Sequence, residues 1–168
     1  AILISHRWLL WLHPLTWIGI PEPYSLPLAI FIWLLCGFLG GLLVSLWCLL
    51  GKTPFFISSS STSAKDQFLI AFSLSLIWGL AEVVLAKGPL FWFGLGASLL
   101  PGDRWLAGLS RWFGAGGLAS LQLMIGWWIW QTGLSFKKGV LWVQIFCLGF
   151  CALLAAHFLG WILLNKND

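Results

Sequence analysis

Five acidic residues stand in the 168-residue chain, and only Glu82 lies inside an apolar run. A carboxyl group in hydrocarbon is costly, so its presence marks either a ligand site or a buried polar contact. Glu82 falls about one helical turn from the end of its run. From there it can reach the interface or accept hydrogen bonds from amides of the connection that follows. Both roles stay open from sequence: an anchor for backbone amides, or a participant in a ligand site. The familiar catalytic sets are missing. His13 sits in a loop, while His6 and His157 are solitary in apolar runs. With no HxxxH or HxE arrangement they indicate neither a metal nor an acid–base pair, and hydrogen-bonded structural roles are expected. Cys36, Cys48, Cys147 and Cys151 lie in apolar runs without CxxC spacing. There a thiol stays protonated and packs as a small hydrophobe, so disulfide and metal roles are not expected. No GxSxG, phosphate loop or Ser/His/Asp set is found, and no catalytic residue, metal or cofactor is assigned.

The connection after Glu82, residues 87–111, is too apolar for an ordinary soluble loop. Its KGPLFWFGLGASLL is expected to lie at the membrane interface, with Phe91, Trp92 and Phe93 toward lipid. Pro101-Gly102-Asp103 signals a turn, and Asp103 can cap a short helix over 104–110. Two readings fit equally: an amphipathic interfacial linker, or the rim where a lipid-like substrate enters. Glu82, Phe91 and Trp92 are the candidate substrate-binding residues.

The elements that must position them follow from composition. Hydrophobic residues make up 60% of the chain and charged residues 8%. A soluble domain carries roughly 25% charged residues, so this exterior must face lipid. The class is all-α, a polytopic transmembrane helix bundle. About four complete spans are expected, over 25–50, 67–86, 112–132 and 140–164, after a truncated one in 1–12. Residues 13–27 carry Pro14, Pro21, Pro23 and Pro27 and read as a connection, with Trp17 and Tyr24 as interfacial anchors. Gly37 and Gly41 form a GxxxG pair suited to close helix packing. Residues 51–66 read as a polar Ser-rich loop, and GLSFKKG at 133–139 as a tight turn. The net charge of +4 is scattered, without a basic tract, so no nucleic-acid partner is expected. Loop charges do not fix orientation: Lys52, Lys65, Lys137 and Lys138 on one side face Arg7, Lys87, Arg104, Arg111 and Lys166 on the other. The chain opens on Ala1 amid apolar sequence and is expected to be a fragment, cut at both ends.

The stretch WGLAE at 78–82, followed by GPLFWFGLGASLLPGDRWLAGLSRWFGAGGL at 88–118, resembles the membrane part of bacterial apolipoprotein N-acyltransferases. The matching elements are W-x-L-x-E, then Phe91, Trp92 and Gly96, then Leu106-Ala107-Gly108-Leu109 through Phe113-Gly114. WLHPLTWIGIP at 11–21 is similar to the connection before a span in cyanobacterial-type members.

The resemblance implies an inner-membrane helix bundle bearing a periplasmic nitrilase-like domain. Such a protein moves an acyl chain from a phospholipid donor to the N-terminal diacylglyceryl-cysteine of a lipoprotein acceptor. It works through a thioester on a cysteine, with a Glu and a Lys completing the triad. That domain would begin after about residue 168. None of the four cysteines here suits the nucleophile, so these 168 residues alone are expected to be inactive. The implied topology puts 1–24, 87–111 and the C-terminus in the periplasm, and the Ser-rich loop and Lys137–Lys138 in the cytoplasm. The competing readings are a small transporter or channel subunit, and a non-catalytic membrane-anchoring protein. Transporters carry more intramembrane charge or broken helices in two matching halves, which this sequence lacks.

Overall fold

A computed structural model of the chain describes residues 2–52, 63–88, 94–99, 102–139 and 141–166. The regular elements among them are all helical, in two compact units, Ala1–Ser58 and Ser59–Asp168.

The first unit runs from α1 (Ile2–Ser5) through two 3₁₀ turns (Arg7–Leu12 and Leu15–Ile18) into the long α2 (Glu22–Gly51). Helix α2 starts three residues before the expected boundary at 25. Pro23 lies in its first turn, where amide donors have no intrahelical acceptor. The Trp33 indole donates to the Leu3 carbonyl at 2.8 Å. Gly37 faces the Leu3 side chain so closely that a Cβ would collide with it, whereas Gly41 has nothing within 4 Å. Of the GxxxG pair, therefore, Gly37 alone makes a close contact among the described residues.

The second unit holds α3 (Ala64–Leu85), the short α4 (Arg104–Ala107), α5 (Ser110–Lys138) and α6 (Trp142–Asn165). A 3₁₀ turn, Gly96–Leu99, lies between α3 and α4. Helix α3 begins earlier than the expected 67 because Ser63 and Asp66 form a capping box. The Ser63 hydroxyl accepts the Asp66 amide at 3.2 Å, and the Asp66 carboxyl accepts the Ser63 amide at 3.1 Å.

Helix α5 is the centre of this unit, packing on α3, on α6 and on the 96–99 turn. It crosses α3 at Gly79 and Gly116, where a Cβ on either residue would strike the other's backbone carbonyl. Small residues let two helix backbones approach this closely. Beside the crossing, the Ser120 hydroxyl donates to the Ser75 carbonyl at 2.9 Å. Leu106, Ala107, Leu109, Leu118 and Leu163 form the buried apolar cluster that joins α4, α5 and α6.

Two features of α5 depart from expectation. The expected turn at 133–139 is helical through Lys138 and ends at Gly139, with φ +68°. Gly139 supplies the left-handed residue that closes a helix, and Lys137 and Lys138 complement the negative end of its dipole. At the other end Gly114, with φ +62° and ψ −172°, breaks the helical path one turn in. That conformation is open to glycine and closed to ordinary side chains. Helices α2, α3 and α6 are each long and apolar enough to cross a bilayer.

Candidate functional site

Glu82 comes from the last turn of α3 and is 4% exposed. Its carboxyl group gathers three N–H donors. The Trp78 indole, one helical turn earlier, donates to Oε1 at 2.8 Å. The Leu95 amide donates to the same oxygen at 2.6 Å, and the Gly96 amide donates to Oε2 at 3.1 Å. These two amides open the 3₁₀ turn, where backbone donors lack local acceptors. Gly94 has no room for a Cβ, which would run into the Glu82 carboxyl. Gly96 lies likewise against the Ala115 carbonyl of α5. Glycine is thus required twice for the turn to reach Glu82 and α5 together.

Further bonds tie the same turn to α5. The Gln122 side chain donates to the Leu95 carbonyl at 2.7 Å, and the Ser98 hydroxyl donates to that carbonyl at 2.6 Å. The Glu82 knot thereby joins α3, the turn and α5 through polar contacts that run from buried at Gly96 to exposed at Ser98. Of the candidate substrate-binding residues, Phe91 and Trp92 lie outside the described residues.

The second polar cluster lies around α4. Asp103 caps it, its Oδ1 accepting the Leu106 amide at 3.0 Å. The helix covers Arg104–Ala107, shorter than the expected 104–110. Its other oxygen meets His157 Nε2 of α6 at 2.6 Å, while His157 Nδ1 donates to the Leu153 carbonyl at 2.8 Å. Partial burial pulls the Asp103 carboxyl upward, but the Leu106 amide and His157 together outweigh it and hold the group below its ordinary value of 3.8. Nearby, Arg111 donates to the Leu163 carbonyl at 2.9 Å, closing the end of α6. Gly108 and Gly160 bring α4 and α6 into backbone contact.

Sequence reasoning anticipated the Asp103 cap and left amide binding open for Glu82. It missed the partnership of Asp103 with His157, which lies 54 residues away, and the roles of Trp78 and Gln122. In the first unit the structure also brings His13 and Ser25 together at 2.8 Å. Ser25 is fully buried, and its hydroxyl oxygen accepts the Leu15 amide at 2.7 Å. That pair fastens the Pro-rich connection to α2 and gives no accessible nucleophile. Among the described residues no group of three His, Cys, Asp or Glu side chains could hold a metal ion. Cys36 is buried, and Cys48, Cys147 and Cys151 are exposed on apolar helices.

Three bilayer-length apolar helices, with a knotted polar turn beside one of them, define a helical membrane protein. Its sequence has clear relatives. Two proteins of Prochlorococcus marinus, each named apolipoprotein N-acyltransferase, are 64% and 54% identical to it over 168 residues, all of this chain and 34% of each of theirs. One of the same name from Parasynechococcus marenigrum is 46% identical over 160 residues, 95% of this chain and 32% of its own. The chain is similar to apolipoprotein N-acyltransferases over 95% or more of its own length, and it spans about a third of the length of these curated relatives. No protein-family model and no solved structure matches the chain.

Proposed function

We propose that this chain is the membrane part of an enzyme that transfers an acyl chain from a phospholipid to the N-terminal diacylglyceryl-cysteine of a lipoprotein, in the bacterial inner membrane. The observation that carries this reading is the 64% identity along all 168 residues with a protein named for N-acyl transfer to apolipoprotein. The acyl-thioester chemistry would belong to a nitrilase-like domain following these residues. The helices supply the scaffold and the lipid-facing surface beside it.

In this reading Glu82 acts through the turn it holds. Its two amide bonds fix residues 95 and 96, directly after the aromatic stretch that carries Phe91 and Trp92. Those aromatics are the residues we assign to contact with the donor lipid. Glu82 is then a positioning residue, its oxygens occupied by three donors of the protein itself.

The test is a chimera in which this chain replaces the corresponding third of the 64% identical Prochlorococcus protein. It would be expressed in cells depleted of their own N-acyltransferase. Mass spectrometry of a lipoprotein N-terminal peptide should show the added acyl chain. A chimera that inserts and folds yet leaves the peptide diacylated overturns the proposal. The 168-residue chain alone should transfer nothing, and acyl transfer by it would refute placing the nucleophile elsewhere.

A further inference from the structure

Residues 103–113 lead into α5 but are fastened to α6. Asp103 meets His157 Nε2 of α6 at 2.6 Å, and Arg111 donates to the Leu163 carbonyl at 2.9 Å. Between them, Gly108 lies so close to α6 that a Cβ would strike the Gly160 carbonyl. Past Gly114 the polar and backbone attachments change partner. Gly116 lies against Gly79 of α3, Ser120 donates to the Ser75 carbonyl, and Gln122 donates to the Leu95 carbonyl. Gly114, at φ +62° and ψ −172°, breaks the helical path between the two sets. A strap fastened to α6 is thus joined, at a glycine, to a helix fastened to α3.

The strap's contact with His157 depends on hydrogens. His157 Nδ1 lies 2.8 Å from the Leu153 carbonyl, which can only accept, so Nδ1 carries one. Nε2 faces the Asp103 carboxylate and needs a second. A neutral imidazole has one hydrogen for these two acceptors, so one contact fails when the ring gives a proton to water. The bond to Asp103 loses its charge assistance in the same step.

No other group can take over. Asp103 is the only acid between residues 103 and 166. The other titratable side chains of α6 are Cys147 and Cys151, and its C-cap is Lys166. Helix α4 brings Arg104. Helix α5 brings Arg111, engaged at Leu163, with Lys137 and Lys138 at its far end. Trp105, Leu154, Phe158 and Trp161, which line an open groove of about 390 Å³ together with His157, carry no charge.

We propose that Asp103 and His157 form a pH-sensitive latch, which holds the 103–113 strap on α6 while the imidazole carries both hydrogens and loosens as pH rises. Gly114 is the pivot, and loosening widens the groove between Trp105 of α4 and the aromatic face of α6. The latch works without acyl transfer.

Hydrogen–deuterium exchange of the full-length chimera in detergent, with rates corrected for the pH dependence of free peptides, reads the latch. The Leu106, Ala107 and Gly108 amides bond within α4 and its cap, whereas 116–120 belong to α5 beside the α3 crossing. Between about pH 6 and about pH 9, either side of histidine's ordinary titration, protection over 106–108 should fall about tenfold. Protection over 116–120 should stay constant. In His157→Gln the side-chain amide donates without titrating, so protection over 106–108 should become flat with pH. Flat protection at 106–108 in the wild type, a fall shared by 116–120, or a fall that persists in the Gln variant overturns the latch. Should the Gln variant fail to fold, the contrast between the two wild-type segments decides alone. A chimera that shows the latch without acylating lipoproteins sinks only the functional proposal, and one that acylates without the latch sinks only this one.

Discussion

Leu95 donates its amide hydrogen to Glu82 at 2.6 Å across thirteen residues of sequence, so the end of α3 is held to the start of the next turn by the acid that lies inside an apolar run. Removing that acid strands three N–H groups at once. Glu82→Ala should cost on the order of 3 kcal/mol, since each buried unsatisfied donor costs about 1–3 kcal/mol and water fills part of the space. Glu82→Gln keeps one acceptor and should cost about half as much. Thermal unfolding in detergent, run on both variants, measures the difference. Equal stability of wild type and the Ala variant would contradict the knot.

The α3–α5 crossing should be intolerant of a single methyl group. Gly79→Ala or Gly116→Ala puts a Cβ into the opposing carbonyl, where the backbone has to shift. A loss of about 1–3 kcal/mol is expected for each. Gly126→Ala, on the same helix with nothing within 4 Å, should be neutral or slightly stabilising. Parallel melts of the three variants check the contrast.

The Asp103 carboxyl is depressed in the folded state by the Leu106 amide and His157, despite the upward pull of burial. A depressed carboxylate contributes stability above its unfolded pKa, about 3.9, and loses it as pH falls through the folded value. The stability gap between wild type and Asp103→Asn should therefore close as pH falls from about 5 through the folded value. The Asn side chain can still cap α4, so the gap reports the loss of charge at the Leu106 amide together with the His157 contact. A gap that opens rather than closes on acidification would refute the assignment.

Sidedness can be read with a membrane-impermeant thiol reagent. In a background with Cys36, Cys48, Cys147 and Cys151 replaced by alanine, Ser60→Cys and Ser98→Cys should label from opposite sides of the membrane. They flank α3, which is long and apolar enough to cross it. Labelling of both from one side would remove α3 from the set of spans.

The sequence made the apolar helices legible, because lipid demands long uncharged runs whatever the packing. It also revealed the Asp103 cap, since an N-cap bonds within its own first turn, three residues away. Ser63 and Asp66 carry an equally local signature, yet within a Ser-rich loop it passed as polar filler. What stayed hidden was non-local. His157 finds Asp103 across a chain separation that no spacing rule covers, and Gly79 meets Gly116 only because two helices happen to cross there. Gly114 was ambiguous for another reason. Glycine suits a tightly packed helix and a broken one alike, and Gly116 and Gly117 beside it are helical. For Glu82, sequence supplied the cost of the buried group, and the structure supplied the donors that meet it.

Helix α5 occupies the centre of its unit but is not among the three helices apolar enough to cross a bilayer by themselves. It carries Gln122, Gln131 and Thr132, along with five glycines. A translocon sorting segments one at a time by partition into lipid would favour α3 and α6 and hesitate over α5. Were α5 to enter a bilayer, its neighbours would have to complete that step, with the Gly79–Gly116 contact and the Ser120 bond supplying what partition does not. The order of synthesis suits this, since α3 is already in place when α5 emerges and α6 follows within three residues. The small residues at the crossing would thus bear on biogenesis as well as on the finished fold, because they hold α5 against α3 at backbone contact.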